Sequence, residues 1–337
     1  MIDPGFTTEA MSSVFSAESR VSTMVQVESM LAATQASCGV IPQVAAADIV
    51  AELLGPVGDP DAVLADGWTL GSPVVALLDR LRARLPSESA PWLHYGATSQ
   101  DIIDTAMMLQ VGRANKLIVK VARSVTDRLA EHRIDFGDAA SVTRTLMQPA
   151  EPHTFAYRID RWRDPLLNRI AALEAQQRFL QLGGASGDRQ VDDVAKQMAA
   201  ELGLCTRTTW HTDREPVAAM VFRVNQLVQW AAKIASDLIV LGQPELGEVL
   251  MRGGASTAMA HKRNPIDAIR VRAAAAANDG VASIVLRSPA HEFERAAGAW
   301  QAEWFAVPLV YQTAAASLHA LDTALESLTV YPGRSRD

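Results

Sequence analysis

Serine, threonine, lysine, asparagine and histidine gather in four short stretches of this chain, each beside glycine or proline where a helix should begin or end. The richest is Gly253-Gly254-Ala255-Ser256-Thr257-Ala258-Met259-Ala260-His261-Lys262-Arg263-Asn264-Pro265. Ser256 follows two glycines, Lys262 and Asn264 come next, and Pro265 is a residue type favoured in the first turn of a helix. A serine hydroxyl is a poor base unless its alkoxide is stabilised. Backbone N–H groups at a loop-to-helix junction, with an ammonium nearby, supply that stabilisation. A solvated basic loop would account for Arg263, but not for Gly-Gly, Ser, Lys and Asn-Pro occurring together. Ser256, Lys262 and Asn264 are therefore the catalytic candidates.

The other three stretches are more ambiguous. In His94-Tyr95-Gly96-Ala97-Thr98-Ser99-Gln100-Asp101, the Thr98 and Ser99 hydroxyls stand beside the free N–H groups of a helix start, which is an anion cradle. An ordinary N-cap with Asp101 in the first turn explains the same residues. The stretch from Thr143 to Pro152 reads as a second polar loop leading into a helix, with Gln148 able to donate to a carboxylate, although capping accounts for most of it. In Trp210-His211-Thr212-Asp213-Arg214, the lone His211 is as readily a surface or capping residue as a catalyst. No metal site is expected, because His261-Lys262 has no second histidine or acid at ligand spacing. Gly184-Ala185-Ser186-Gly187 is too short for a phosphate loop, and GxGxxG, HExxH and GxSxG are absent.

Long helices must position these stretches. Val217, Met220, Val221, Val224, Leu227, Val228, Ala231, Ile234, Ala235, Leu238 and Leu241 repeat at three-and-four spacing, one face of a rod of about 37 Å. Further rods are expected from near Asp104 to Arg133, from Glu151-Pro152 to Leu180, from Pro265 to Leu286, and from Ala299 to Leu328 with a kink at Pro308. Apolar stripes this wide need a bundle, here expected to be shared between chains. The first part of the chain reads as shorter helices, Arg20–Cys38, Pro42–Leu53 and Pro73–Leu85, broken by GPVGDPD and PSESAP. The expectation is an all-α fold, with an N-terminal helical domain over 1–95 and a long-helix bundle, the tetramerisation domain, over 96–337.

Composition narrows the function. With 337 residues, 49% of them hydrophobic, the chain can bury a large core. Its net charge is 31 − 38 = −7, with no basic run, which argues against nucleic acid as the main partner. Two cysteines leave no disulfide framework. No signal peptide and no run of eighteen apolar residues is present, so a cytoplasmic protein with no membrane partner is expected.

The Gly253–Pro265 stretch resembles the GSSxMPxKxNP signature of the fumarase/aspartase superfamily, with Ser256, Met259, Lys262, Asn264 and Pro265 in register. HYGATSQDIIDTA and RTLMQPAEPHTF resemble two further blocks of that superfamily, in order and at the expected distances. The resemblance implies an all-helical homotetramer of β-elimination lyases whose active sites are shared between chains. It also implies proton transfer by Ser256 next to a carboxylate, with Lys262, Asn264 and loop N–H groups stabilising the aci-carboxylate. His94, Thr98, Ser99, Gln148, His211, Met259 and Arg270 would bind a small tricarboxylate substrate, with no cofactor.

Within the superfamily, TWHTDRE and ERAAGAWQAEW are most similar to the 3-carboxy-cis,cis-muconate cycloisomerases of the β-ketoadipate route of aromatic breakdown. Adenylosuccinate lyases and fumarases carry a His where this chain has Leu146, and a supporting Glu where it has Ile269. Expelling an amine or hydroxide needs a general acid. Opening a lactone expels a carboxylate that is stable as an anion, so the missing dyad favours a cycloisomerase. Other departures are Ala260 for the signature proline, Thr257 for its second serine, and an end at Asp337, where relatives continue into a small C-terminal domain. An adenylosuccinate-type lyase and a non-catalytic helical scaffold are the alternatives.

Overall fold

The computed structural model describes residues 2–255, 258–259 and 262–331. Ser256 lies outside the described residues, as do Thr257, Ala260 and His261. The fold is all-α. Five short or medium helices come first: α1 Glu9–Val14, α2 Ala17–Ser37, α3 Gln43–Leu53, α4 Pro60–Leu70 and α5 Pro73–Arg82. The rods follow as α6 Ser99–Phe136, α7 Phe155–Glu174, α9 Glu215–Leu241, α10 Ile266–Leu286 and α11 Ala299–Glu326, with α8 Asp193–Leu202 between α7 and α9. Two small antiparallel pairs complete it, β1 Ala140–Thr145 with β2 Gln148–Thr154, and β3 Val249–Leu250 with β4 Thr329–Val330.

Local chemistry explains the starts. Ser72 caps α5 through the Val74 N–H, with Pro73 in the first turn, and Ser16 caps α2 through the Ser19 N–H. Three expectations change. The segment at Glu151-Pro152 is not the start of a rod: residues 140–154 form a hairpin, and α7 opens at Phe155 and ends at Glu174 rather than Leu180. The gap expected between Leu53 and Pro73 holds a helix, α4, which opens at Pro60 within GPVGDPD and is capped by Asp59. Gly67 sits inside α4 because a Cβ there would come within 2.5 Å of the Pro73 backbone, so only glycine lets α4 and α5 approach.

The apolar stripe of α9 is buried within one chain: Val217, Met220, Val221, Val224, Leu227, Val228, Ala231, Ile234, Ala235 and Leu238 are all 0% exposed, against α7, α10 and α11. The stripe therefore does not by itself require a second copy, contrary to expectation.

Polar pins set the direction of each rod. Trp162 Nε1 donates to Asp237 (2.7 Å) and Arg169 Nε to the Gln226 carbonyl (3.2 Å), so α7 and α9 run antiparallel. Asn225 donates to Asn278 (3.2 Å) and Gln229 to the Ala275 carbonyl (3.2 Å), so α9 and α10 do the same. Asn278 in turn donates to Thr313 (2.9 Å), while Ser317 donates to the Val271 carbonyl (3.2 Å), placing α10 and α11 antiparallel. Trp300 donates to Asp104 (3.0 Å) and Arg128 to Asp322 (2.7 Å), so α6 and α11 are parallel. One end of the bundle thus holds the starts of α6, α9 and α11. The other holds the β1–β2 hairpin and the loop before α10. Along the 27 residues of α9 the two ends are about 40 Å apart.

Candidate active site

At the first end, Asp101 ties the anion-cradle block to His211. Its side chain is 1% exposed. Oδ1 accepts from the Gly183 N–H (2.8 Å) and lies 2.8 Å from His211 Nε2, while Oδ2 accepts from the N–H groups of Gly184 (2.9 Å) and Thr98 (3.0 Å). With the carboxylate accepting from every side, Nε2 is the protonated nitrogen of His211. Nδ1 is buried and has no hydrogen-bond partner among the described residues. The glycine-rich turn that is too short to hold a phosphate instead wraps a carboxylate of its own chain.

Glycine is required there. A Cβ on Gly183 would meet Thr209 at 2.7 Å and His211 Cε1 at 2.8 Å, and one on Gly187, already at φ +74°, would meet His211 Nδ1 at 3.1 Å. Gln100 adds a hydrogen bond to the His211 carbonyl (2.8 Å), so side chain and backbone of His211 are both held from α6.

His94 joins from the preceding turn, in the left-handed region at φ 63°, its Nδ1 2.6 Å from Glu28 Oε1. Burial lowers its pKa, but the charge and hydrogen bond of Glu28, with Asp101 behind, outweigh this and leave it raised. Thr98 and Ser99 stand at the N-terminus of α6, half-buried.

Beneath this layer lies a buried ion cluster that the sequence reading passed over. Arg214, 0% exposed, donates to Asp104 (2.7 and 3.1 Å) and to Glu303 (3.0 and 2.5 Å), and stacks over Trp210 at 4.8 Å. Trp300, Gln100 and Gln181 also donate to Asp104. Burial raises the Glu303 pKa against the opposing pull of Arg214. Asp101 and Asp104 are spaced i, i+3 on α6, the one sequence signal for this pair of anchors.

The remaining candidates sit at the other end. Gln148 opens β2, exposed, just after a two-residue turn in which Leu146 (φ 49°) and Met147 (φ 65°) are both left-handed. Leu146 is 96% exposed. The loop before α10 is closed at its base by a two-way backbone bridge, Gly254 N–H to the Asn264 carbonyl (2.8 Å) and Asn264 N–H to the Gly254 carbonyl (3.4 Å). Asn264 is half-buried beside that bridge, and Lys262 and Met259 are exposed. Arg270 is one turn into α10, loosely paired with Asp267 at 3.5 Å. Within one chain, His94, Thr98, Ser99 and His211 are therefore brought together, but Gln148, Met259, Lys262, Asn264 and Arg270 are a bundle length away. No helix is long and apolar enough to cross a membrane, among the described residues.

Comparison with known proteins places the chain further. A sequence family described as a lyase matches residues 5–277. The 3-carboxy-cis,cis-muconate cycloisomerase of Pseudomonas aeruginosa is 33% identical, over all of this chain and 77% of its own length. The nitrosuccinate lyase of Streptomyces davaonensis is 34% identical over 93% of this chain and 71% of its own. The crystal structure of the 3-carboxy-cis,cis-muconate lactonizing enzyme from Pseudomonas putida superposes with a TM-score of 0.89 at 30% identity, covering 98% of this chain and 77% of that one.

Proposed function

This chain belongs to the lyase family, within the fumarase/aspartase superfamily, and from that premise we propose that it is a 3-carboxy-cis,cis-muconate cycloisomerase acting in aromatic breakdown. The observation that carries the reading is Leu146: an apolar side chain stands at the hairpin tip where amine- and hydroxide-expelling relatives carry a proton donor. A reaction that expels, or is attacked by, a carboxylate needs no donor there.

One substrate carboxylate adds to the C=C bond, forming the ring C–O bond, while the π electrons move onto the carbon beside a second carboxylate. Ser256 passes a proton to that carbon. Lys262, Asn264 and the loop N–H groups stabilise the aci-carboxylate that develops. Thr98, Ser99 and Gln148 hold carboxylates, Arg270 pairs with another, Met259 packs against the substrate, and His94 and His211 complete the wall.

Because the two sets of residues lie at opposite ends of one bundle, a complete site needs a second chain running the other way. We assign the assembly as a homotetramer, with residues 1–95 as the domain carrying His94 and 96–337 as the bundle that associates. A second reading is favoured by the nitrosuccinate lyase likeness. Elimination from nitrosuccinate would release nitrite, again an anion stable without protonation. The test is an ultraviolet assay on 3-carboxy-cis,cis-muconate. Loss of the conjugated-diene absorbance supports cycloisomerisation. No loss, with nitrite released from nitrosuccinate, supports the second reading, and AMP release from adenylosuccinate contradicts both.

A further inference from the structure

A cavity of about 290 Å³ opens between the β1–β2 hairpin, the first turns of α7 and the second half of α9, and none of the residues assigned above to substrate lines it. Regular spacing builds its walls: Ser141 and Thr143 share one face of β1, Arg158 and Arg161 stand at i, i+3 on α7, and Lys233 and Asp237 at i, i+4 on α9. Its charge is unbalanced. Arg144 and Arg158, whose side chains are only 12% and 16% exposed, share one carboxylate: Arg144 pairs with Glu248, and Arg158 stands 3.9 Å from it. Burial lowers the Arg158 pKa, and the Arg144 charge lowers it further against the pull of Glu248. Lys233 pairs with Asp237, the one acid in the lining, which also accepts from Trp162. Arg161 makes no side-chain hydrogen bond or ion pair among the described residues and rests only over the Tyr157 ring, at 6.0 Å. Four cations thus face two carboxylates, an excess of two positive charges on a chain whose net charge is −7.

Donors in the walls are also unspent. Arg158 commits Nη2 to the Ser141 hydroxyl (3.0 Å) and the Val142 carbonyl (2.8 Å), while its Nη1 is not buried and has no partner among the described residues. The Thr154 hydroxyl, at the N-cap of α7, caps nothing, and no acid stands in the first turn of that helix, so its positive end reinforces the excess. These features select a ligand class. A neutral ligand would leave the guanidinium charges uncompensated. Chloride or a monocarboxylate brings one charge, and a dicarboxylate holds its two charges apart, whereas the donors here converge from three elements. A phosphate group carries about −1.5 to −2 near neutral pH on three strong acceptor oxygens, matching both the excess and the spread of donors. We propose that this cavity is an anion site, distinct from the one assigned to muconate, that takes a phosphate group, free or at the end of a monoester.

The test titrates the full chain in its native assembly, at fixed ionic strength, with inorganic phosphate, glycerol 3-phosphate, succinate and chloride, read by calorimetry. A phosphate ligand should bind saturably with one site per chain, with succinate and chloride at least about tenfold weaker. Tighter binding of glycerol 3-phosphate than of phosphate assigns the site to esters, and any other order assigns it to the free ion. Arg161→Gln should weaken phosphate binding about fivefold or more and Arg161→Lys less, with helical content unchanged because Arg161 holds nothing else. Arg158→Lys, which keeps the charge and loses the fork, should weaken it about tenfold. Lys196→Gln on α8, matched to Arg161→Gln in net charge, should leave the affinity as it was. Absence of saturable binding, including through filling of the cavity by a second copy, overturns the proposal. So does equal affinity for succinate, unchanged affinity in Arg161→Gln, or an equal loss in Lys196→Gln.

Discussion

At the residue scale, Asp101 and Glu28 show how the chain turns two histidines into fixed instruments. Each carboxylate takes one ring nitrogen, so each imidazole is oriented and its tautomer set before substrate arrives. For His94 the consequence is measurable. Its folded pKa is raised above the usual value near 6.5, so the folded chain holds that proton more tightly than the unfolded one. The stabilisation from the Glu28 pair is whole below about pH 6.5 and fades as pH rises through the raised pKa. The difference in Tm between the parent and Glu28→Gln should therefore be largest near pH 5.5 and shrink towards about pH 9; a difference that grows with pH would contradict the pairing. Ser256 carries a separate expectation. Ser256→Ala should lower kcat by roughly a thousandfold or more with assembly intact. Retention of more than about a tenth of kcat would remove it from the mechanism.

At the element scale, the hairpin is the anomaly. A two-residue turn with both φ positive is normally made by Asn-Gly, yet here it is Leu146-Met147, two exposed apolar side chains held in strained backbone. Strain of that kind at an exposed tip fits a segment that is completed by contact with another chain. Replacing the pair with Asn-Gly should relieve the backbone and leave the helical content and Tm unchanged or higher. The same change should shift the assembly to smaller species and lower kcat/KM. Unchanged assembly and activity would make the tip mere loop.

The rods were legible in sequence because a three-and-four repeat over more than twenty residues has one interpretation. The hairpin was not, because Pro149 and Pro152 speak against a strand and every residue of β2 is exposed, which leaves no alternation to read. Nor was α4, whose internal Gly67 reads as a break until Pro73 is seen against it. The candidate site was legible only as separate blocks. The link from Asp101 to His211 spans 110 residues, and Arg214 joins Asp104 of α6 to Glu303 of α11, three positions about 90 to 200 residues apart whose contact no local spacing reveals.

At the scale of the whole molecule, the separation of the blocks and the missing dyad make two demands. Because Thr98 and Lys262 lie at opposite bundle ends, light scattering should give four times 36.3 kDa. Thr98→Ala and Lys262→Ala chains, each inactive alone, should regain part of the activity when dissociated and reassembled together, since some mixed sites hold both native blocks. An active monomer, or no recovery, would contradict the shared site. The second demand concerns leaving groups. With Leu146 and Ile269 in place of His and Glu, neither of those two side chains can protonate a departing amine or hydroxide. Fumarate hydration and adenylosuccinate cleavage should run at least ~10³-fold below the reaction of 3-carboxy-cis,cis-muconate in kcat/KM, within the 10²–10⁴-fold that general acid catalysis contributes. Installing Leu146→His with Ile269→Glu should not rescue them, because Thr98, Ser99, Gln148 and Arg270 would still be arranged for carboxylates rather than for a nucleotide. The deciding measurement is a side-by-side comparison of the three substrates. Comparable turnover of adenylosuccinate by the parent chain would overturn the leaving-group argument, and with it both readings of the site, because each depends on an anion that departs without a proton.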